Sequence, residues 1–230
     1  VNYLWETLAD GVWRTRLPFL DVTVGVVRGR DGALLVDSGT TETEARAIEQ
    51  DVRLLAGQGV EQIVLTHNHF DHVLGSAWFR DAGLYCAPEV AATMTTGTDR
   101  LRADALDHGA DPVAVDRAIA ALRRPDHLVH RAEVELGERH VTIVHPGPGH
   151  TDHDLIVVVA GAQPVVFCGD LVEESGDPVI DSDSDIGAWP ATLDRVIAAG
   201  GAHAAYVPGH GATVGVDFVR RQRSWLAQRV

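Results

Sequence analysis

Thr66-His67-Asn68-His69-Phe70-Asp71-His72 follows directly on the apolar run that starts at Ile63 and places four candidate metal ligands within six residues. An extended segment turns alternate side chains to one side, so His67 and His69 project together. Asp71 and His72 then fall at the turn into a helix expected over about His72–Arg80, with Asp71 placed to cap it. Imidazole nitrogens and a carboxylate in this pattern suit zinc, manganese or iron. One histidine in such a place is ordinarily satisfied by a backbone carbonyl; a cluster of four ligands is not explained that way.

Three later positions share the same setting. His150 closes Pro146-Gly147-Pro148-Gly149-His150-Thr151, a tight turn between two expected strands. Asp170 follows the apolar strand Val165-Val166-Phe167-Cys168-Gly169, and His210 lies in Pro208-Gly209-His210-Gly211 after another. Each stands where a strand meets a glycine-rich loop, and small residues there let backbone approach a site closely.

The rest of the chain supplies the frame. Val22, Val24 and Val26 line one face of a strand, and Arg30-Asp31-Gly32 reads as a hairpin turn into a second strand, Ala33–Val36. Thr41 and Glu44 have capping-box spacing before a helix that buries Ile48, Val52 and Leu55 and stops near Gly57 and Gly59. Strands at Ile63–Thr66 and Leu84–Ala87 complete a β-meander followed by β-α-β units. Residues 89–130 break the rhythm. Asp111-Pro112 starts a helix with the apolar face Val115, Ile119 and Leu122, and the segment reads as a helical insertion. Strands then return near 133–136, 140–144, 155–159, 165–168 and 205–207, with helices near 192–199 and 216–228. Each half runs strands first and helices last, which a sheet-on-sheet core with helices outside accounts for.

Composition narrows the function. The 230 residues are 45% hydrophobic and 23% charged, an ordinary globular balance. The formal net charge is -14, with 33 acidic residues against 19 basic ones, all of them arginine. A surface so acidic repels nucleic acid. No apolar run is long enough for a membrane span. No signal peptide is visible at Val1-Asn2-Tyr3, so a cytoplasmic location is expected, although the missing initiator Met leaves room for a trimmed leader. Cys86 and Cys168 sit in apolar runs and read as reduced core residues.

The set His67-Asn68-His69-Phe70-Asp71-His72, His150, Asp170 and His210, together with Asp37 in Leu35-Val36-Asp37-Ser38-Gly39, resembles the metallo-β-lactamase-fold hydrolase superfamily, with a glyoxalase-II-like binuclear motif. The segments arrive in family order across nearly the whole chain. The resemblance implies an α+β fold, a four-layer αβ/βα sandwich of two face-to-face sheets with helices outside. Residues 1–230 would form a single domain carrying the insertion at about 89–130. It also implies two divalent metal ions, zinc first, with manganese or iron as alternatives. His67, His69 and His150 would hold the first, and Asp71, His72 and His210 the second. Asp170 would bridge them, and Asp71 and Asp170 would serve catalysis.

The chemistry is coherent. Two metals can share a water and lower its pKa from near 16 toward 7, giving a hydroxide nucleophile at neutral pH. Two dications against Asp71, Asp170 and hydroxide leave about +1, suited to a developing oxyanion. Departures from well-known members are informative. Residue 69 is His and not the Glu of flavodiiron oxidoreductases; residue 170 is Asp and not Cys; the lysine that grips β-lactam carboxylates has no counterpart. The short stretch after His210 leaves no room for the glutathione-binding domain of glyoxalase II, and Thr151-Asp152-His153-Asp154 replaces its Thr-Pro-Gly.

The expected function is hydrolysis of a small ester, lactone, thioester or amide-like substrate. The alternatives are a mononuclear-iron persulfide dioxygenase and a phosphodiesterase or ribonuclease of the same fold. The expected partner is a small molecule, neither nucleic acid nor membrane, with homo-oligomerisation left open. His153 is expected beside the metals or on the surface. His108, His127, His130, His140, His145 and His203 read as solvated or locally bonded. The run from Glu173 to Asp185 reads first as a solvated acidic loop and second as a rim that disfavours polyanions.

Overall fold

The computed structural model describes residues 1–230. The meander is built from β1 (Trp5–Ala9), β2 (Val12–Arg16), β3 (Thr23–Gly29) and β4 (Gly32–Val36), each antiparallel to the last. Helix α1 (Glu42–Ala56) then crosses to β5 (Val60–Val64), which runs parallel to β4. Parallel β6 (Gly83–Cys86) and the two-residue β7 (His127–Leu128) complete a seven-stranded sheet in chain order. The second sheet repeats the plan. Strands β8 (Arg131–Glu135), β9 (His140–Val144), β10 (Ile156–Val159) and β11 (Val165–Glu173) form an antiparallel meander, and β12 (Ala205–His210) joins β11 in parallel. The architecture is therefore duplicated where the sequence shows no repeat.

The two sheets pack face to face. A Cβ at Gly25 on β3 would lie 2.3 Å from the Phe167 ring of β11, so glycine is needed for the sheets to approach there. Val24, Val26 and Val27 are all buried: β3 is covered on both faces and not on one, because helices close the outer side. One cluster of 43 buried residues joins the sheet interior to α1 and the helical insertion; a second, of 13, lies under α6 (Trp189–Gly200) and α7 (Val216–Ala227). At about 0.025 kcal/mol per Å² of apolar area, burial on this scale is the main stabilising term.

Local signals are realised in α1. Thr41 and Glu44 form the reciprocal capping box, and Gly57 ends the helix in the left-handed region at φ 71°. The expected helix over His72–Arg80 differs. It is one α-turn, α2 (Phe70–Val73), running into a 3-10 segment, Leu74–Trp78, and His69, not Asp71, occupies the N-cap position. The cause is a distant chain: Ser38 donates both its N–H (3.0 Å) and its hydroxyl (2.8 Å) to the His72 carbonyl. That carbonyl is claimed before an α-helical bond can form on it.

The segment after β6 contains α3 (Pro88–Thr96), α4 (Thr98–Asp107) and α5 (Pro112–Ala121). Asp111 caps α5 through Ala114 N, as Asp111-Pro112 suggests. Its apolar face packs into the core with Val115 buried, whereas α4 is the helix that reaches the site. No helix is long and apolar enough to cross a membrane.

Candidate metal centre

The loops leaving β4, β5, β9 and β12, with the middle of β11, meet at one edge of the sandwich. Asp37 ends β4 in the left-handed region at φ 58°, a conformation costing roughly 1–2 kcal/mol for a non-glycine residue. Its carboxylate repays the strain. Oδ1 accepts from Thr66 N at 2.8 Å, and Oδ2 accepts from Thr66 Oγ1 and His72 Nδ1, each at 2.8 Å. Asp37 thereby ties the end of β4 to the start of the histidine cluster.

That contact also sets the His72 tautomer. With the proton on Nδ1, Nε2 offers its lone pair to the interior. Three more histidines are oriented the same way: His67 Nδ1 lies 3.0 Å from Thr66 Oγ1, His150 Nδ1 3.3 Å from the Val179 carbonyl, and His210 Nδ1 2.8 Å from the Leu20 carbonyl. Four Nε2 atoms thus point inward. His69 is reversed, presenting Nδ1 inward at 3.2 Å from His150 Nε2 and directing Nε2 towards Asp183 at 3.8 Å. Engagement of the outer nitrogen is what holds a metal-ligating imidazole in place.

The inward atoms form two groups. His67, His69, His150 and Asp170 make one; Asp71, His72 and His210 make the other, with every ligand atom of a group within 4.8 Å of the rest. In the second group His72 Nε2 lies 3.4 Å from His210 Nε2 and 3.6 Å from Asp71 Oδ2, and His210 Nε2 lies 3.4 Å from Asp71 Oδ2. Asp170 touches both. Its Oδ2 is 3.5 Å from His67 Nε2 and His150 Nε2 and 3.4 Å from His210 Nε2, and its Oδ1 is 3.3 Å from His72 Nε2. All seven residues expected from the sequence are brought together.

Two observations test whether these donors fit metal ions. Ligand atoms bound at about 2.0–2.1 Å around a tetrahedral zinc ion stand about 3.3–3.4 Å apart, and the spacings above fall around that value. In addition, His67 Nε2 and Asp170 Oδ1 are buried polar atoms with no hydrogen-bond partner. Buried groups of this kind are costly unless something binds them. The donor set fits.

The electrostatics differ between the groups. Burial pushes His67 well below the ordinary histidine range and His150 down to about 4. Burial also acts against protonation of His72 and His210, but Asp170 and Asp71 outweigh it, aided at His72 by Asp37. His72 is raised well above its usual value and His210 to about 10. Asp170 is held well below the carboxylate range despite burial, because His72, His210 and His67 face it. In the first group, burial lowers His67 and His150, whereas at His69 the contacts with Asp183, Asp170 and Asp71 outweigh burial and raise it.

Asp170 does not end its strand. β11 continues to Glu173, with its register against β12 shifting around Gly169. On β12, a Cβ at Gly209 would fall 1.8 Å from Asp170 Oδ1, so only glycine lets that strand pass the carboxylate. The acidic stretch is exposed at Asp177, Asp181 and Asp185, as the solvated reading expects, and departs from it at Glu173. Glu173 is 5% exposed, and burial, then Asp170, raises its carboxyl to about 7. Asp183 bonds Arg100 of α4 at 3.0 Å, and the Ser184 hydroxyl donates to the His150 carbonyl at 2.7 Å. The loop is pinned to the site on both sides. Its acidity was the available signal; the burial of Glu173 was not visible.

Other expectations resolve as follows. His153 is buried beside Asp152 at 2.8 Å, and His145 bonds the Asp154 carbonyl at 2.7 Å. His108 faces the cleft, its Nδ1 bonded to the Asp104 carbonyl at 2.8 Å. Cys86 and Cys168 are free and buried. Above the metal-binding residues opens a cleft of about 540 Å³, walled by α4 on one side and the loop after Glu173 on the other.

The sequence family described as the Metallo-beta-lactamase superfamily matches residues 17–212. The chain belongs to that superfamily. Solved structures agree on the fold. The metallo-β-lactamase FIM-1 of Pseudomonas aeruginosa, in a mono-zinc form, superposes with a TM-score of 0.76 at 20% identity, covering 100% of this chain and 96% of that one. A metallo-β-lactamase from Pontibacter korlensis gives 0.73 at 18% identity, with coverage of 98% and 99%. One from Hirschia baltica gives 0.71 at 16% identity, with 97% of each chain covered.

Proposed function

We propose that the protein is a binuclear metallo-hydrolase, loaded with zinc in preference to manganese or iron, that cleaves a small ester, lactone, thioester or amide-like substrate. The observation that carries this reading is Asp170, whose carboxylate lies 3.3–3.5 Å from imidazole nitrogens of both donor groups. A pair of divalent ions held there would supply Lewis acidity and a water-derived nucleophile near neutral pH. His67, His69 and His150 would hold one ion, Asp71, His72 and His210 the other, and Asp170 both.

The chain's own residues do the positioning. Asp37 fixes the ring of His72, the Leu20 carbonyl that of His210, and the Val179 carbonyl that of His150. A constellation held this way needs little reorganisation as charge develops on the substrate. The cleft admits a small molecule, and its acidic walls disfavour phosphodiesters and RNA.

The test is metal analysis with a substrate screen on the metal-loaded protein. Two zinc ions per chain and turnover of a lactone, thioester or chromogenic β-lactam are expected. One iron per chain with oxygen consumption on a persulfide would replace this reading with the dioxygenase, and preferential cleavage of a phosphodiester would replace it with the nuclease.

A further inference from the structure

Glu173 is a carboxylate built into the cleft beside the seven donors, near Asp170 and His210. It is 5% exposed, yet it lines the cavity. Its backbone is held rigidly: Glu173 N donates to Gln222 Oε1 of α7 at 3.0 Å, and Gln222 Nε2 donates to the Leu171 carbonyl at 2.8 Å. Ser175 Oγ donates to Glu173 Oε1 at 2.6 Å; no arginine pairs with the carboxylate, and its only side-chain donor is that hydroxyl. A ligand oxygen of Glu173 lies within 4.8 Å of ligand atoms of Asp170 and His210, so whatever it binds sits beside the reacting centre. Both of its donors, the hydroxyl and the backbone N–H, come from the neutral residue Ser175, so a buried carboxylate facing the cleft is left with room for a cation.

The surrounding walls have the same sign. Besides Asp71 and Asp170, the cleft is lined by Asp104, Glu173, Asp177 and Asp181. The one guanidinium among the lining residues, Arg100, is already bonded to Asp183. No arginine there is free to recognise an anionic group, and four carboxylates are placed to attract a cationic one.

We infer that Glu173 is a specificity-determining residue and that the substrate carries a protonated amine close to its scissile acyl bond. This rests on the hydrolase reading above. Glu173 binds the ammonium group, Ser175 holds the carboxylate in orientation, and the other acidic walls steer the cation in.

Two arms keep the inference and the hydrolase reading apart. The first is binding to the metal-loaded protein, using benzylamine, benzyl alcohol and benzoate as probes by ligand-observed NMR. Benzylamine is expected to bind at least tenfold more tightly than the alcohol, and any benzoate binding, which the metal ions can support, is expected to be unaffected by Glu173→Gln. Glu173→Gln should erase that preference, Glu173→Asp should retain part of it, and Asp177→Asn should reduce it by less than threefold. The second arm compares kcat/KM for a glycine thioester and its N-acetyl counterpart. At least a tenfold preference for the free amine is expected in the wild type and none in Glu173→Gln, with zinc content unchanged. An equal preference in wild type and Glu173→Gln, no preference in the wild type, or an equal loss in Asp177→Asn would overturn the assignment. Loss of zinc from Glu173→Gln would assign the residue to metal holding instead. A selective cation site in a protein that hydrolyses neither thioester, nor any ester, lactone or amide of the wider screen, would retain the inference about Glu173 and reject the hydrolase.

Discussion

Asp37 and His72 lie 35 positions apart in the chain and meet at 2.8 Å between Oδ2 and Nδ1, in a site from which both are hidden from solvent. The contact makes a strained strand end into the support for a ring of the second donor group. Thr66 completes it, bonding both Asp37 oxygens.

Asp37→Asn should therefore weaken metal binding at the second group by about 10–100-fold, the usual cost of losing such a supporting contact. Asparagine tolerates the left-handed backbone, so the fold should survive. Competitive zinc titration with a chromophoric chelator reads the effect; unchanged affinity at both sites would show that Asp37 does not support His72.

Acid should empty the two groups in order. Asp170 and Asp71 raise both His72 and His210 against burial, whereas in the first group His69 alone is raised and burial lowers His67 and His150. Loading the second group must expel protons, so its affinity rises with pH, whereas the first depends on pH less steeply. Zinc titrations at pH 6 and 8 in buffers of different ionisation enthalpy should show more proton release on filling the second group than the first. Equal proton release in both steps would contradict this.

Two buried aspartates should tilt stability in opposite directions. Asp51 accepts from Asn2 N (2.6 Å), Tyr3 N (2.9 Å) and Trp5 Nε1 (2.8 Å), tying the first strand to α1. Burial alone would raise its carboxyl, but these donors outweigh it and the pKa is lowered. The unfolded chain then binds more protons between the folded value and about 3.9, so stability rises with pH there and is fully present above it. Asp51→Ala should cost about 2–3 kcal/mol at pH 7 in urea denaturation, with the difference fading only below about pH 4. A pH-independent difference would contradict the assignment.

Asp154 behaves oppositely. Burial raises its carboxyl to about 8. The folded state binds the extra proton between about 4 and 8, so the metal-free protein loses stability as pH rises through that window. Asp154→Asn should flatten this slope, gaining on the wild type towards pH 8. Parallel stability curves would show that Asp154 ionises normally.

The donor cluster was readable because His67, His69, Asp71 and His72 crowd into six residues after a strand and His150 and His210 follow glycines, where local sequence governs. The capping box of Thr41 and Glu44 and the Asp111-Pro112 helix start were readable for the same reason. What escaped depends on distant contacts. The α2 turn is cut short by Ser38, and β11 runs past Asp170 to a residue held by Gln222, 49 positions later. Glu173 looked like the start of a solvated loop because nothing near it in sequence reports that α7 and β12 cover it. The apolar face of α5 likewise gave no sign that it packs inward while α4 walls the cleft.

The central claim is that Asp170 joins two metal ions. It is tested most directly by anomalous diffraction from crystals of the zinc-loaded protein. Two peaks are predicted, one about 2.0–2.2 Å from His67 Nε2, His69 Nδ1 and His150 Nε2, the other at that distance from Asp71, His72 Nε2 and His210 Nε2, with the Asp170 carboxylate bound to both. A single peak, or two peaks with Asp170 bound to neither, would contradict the account.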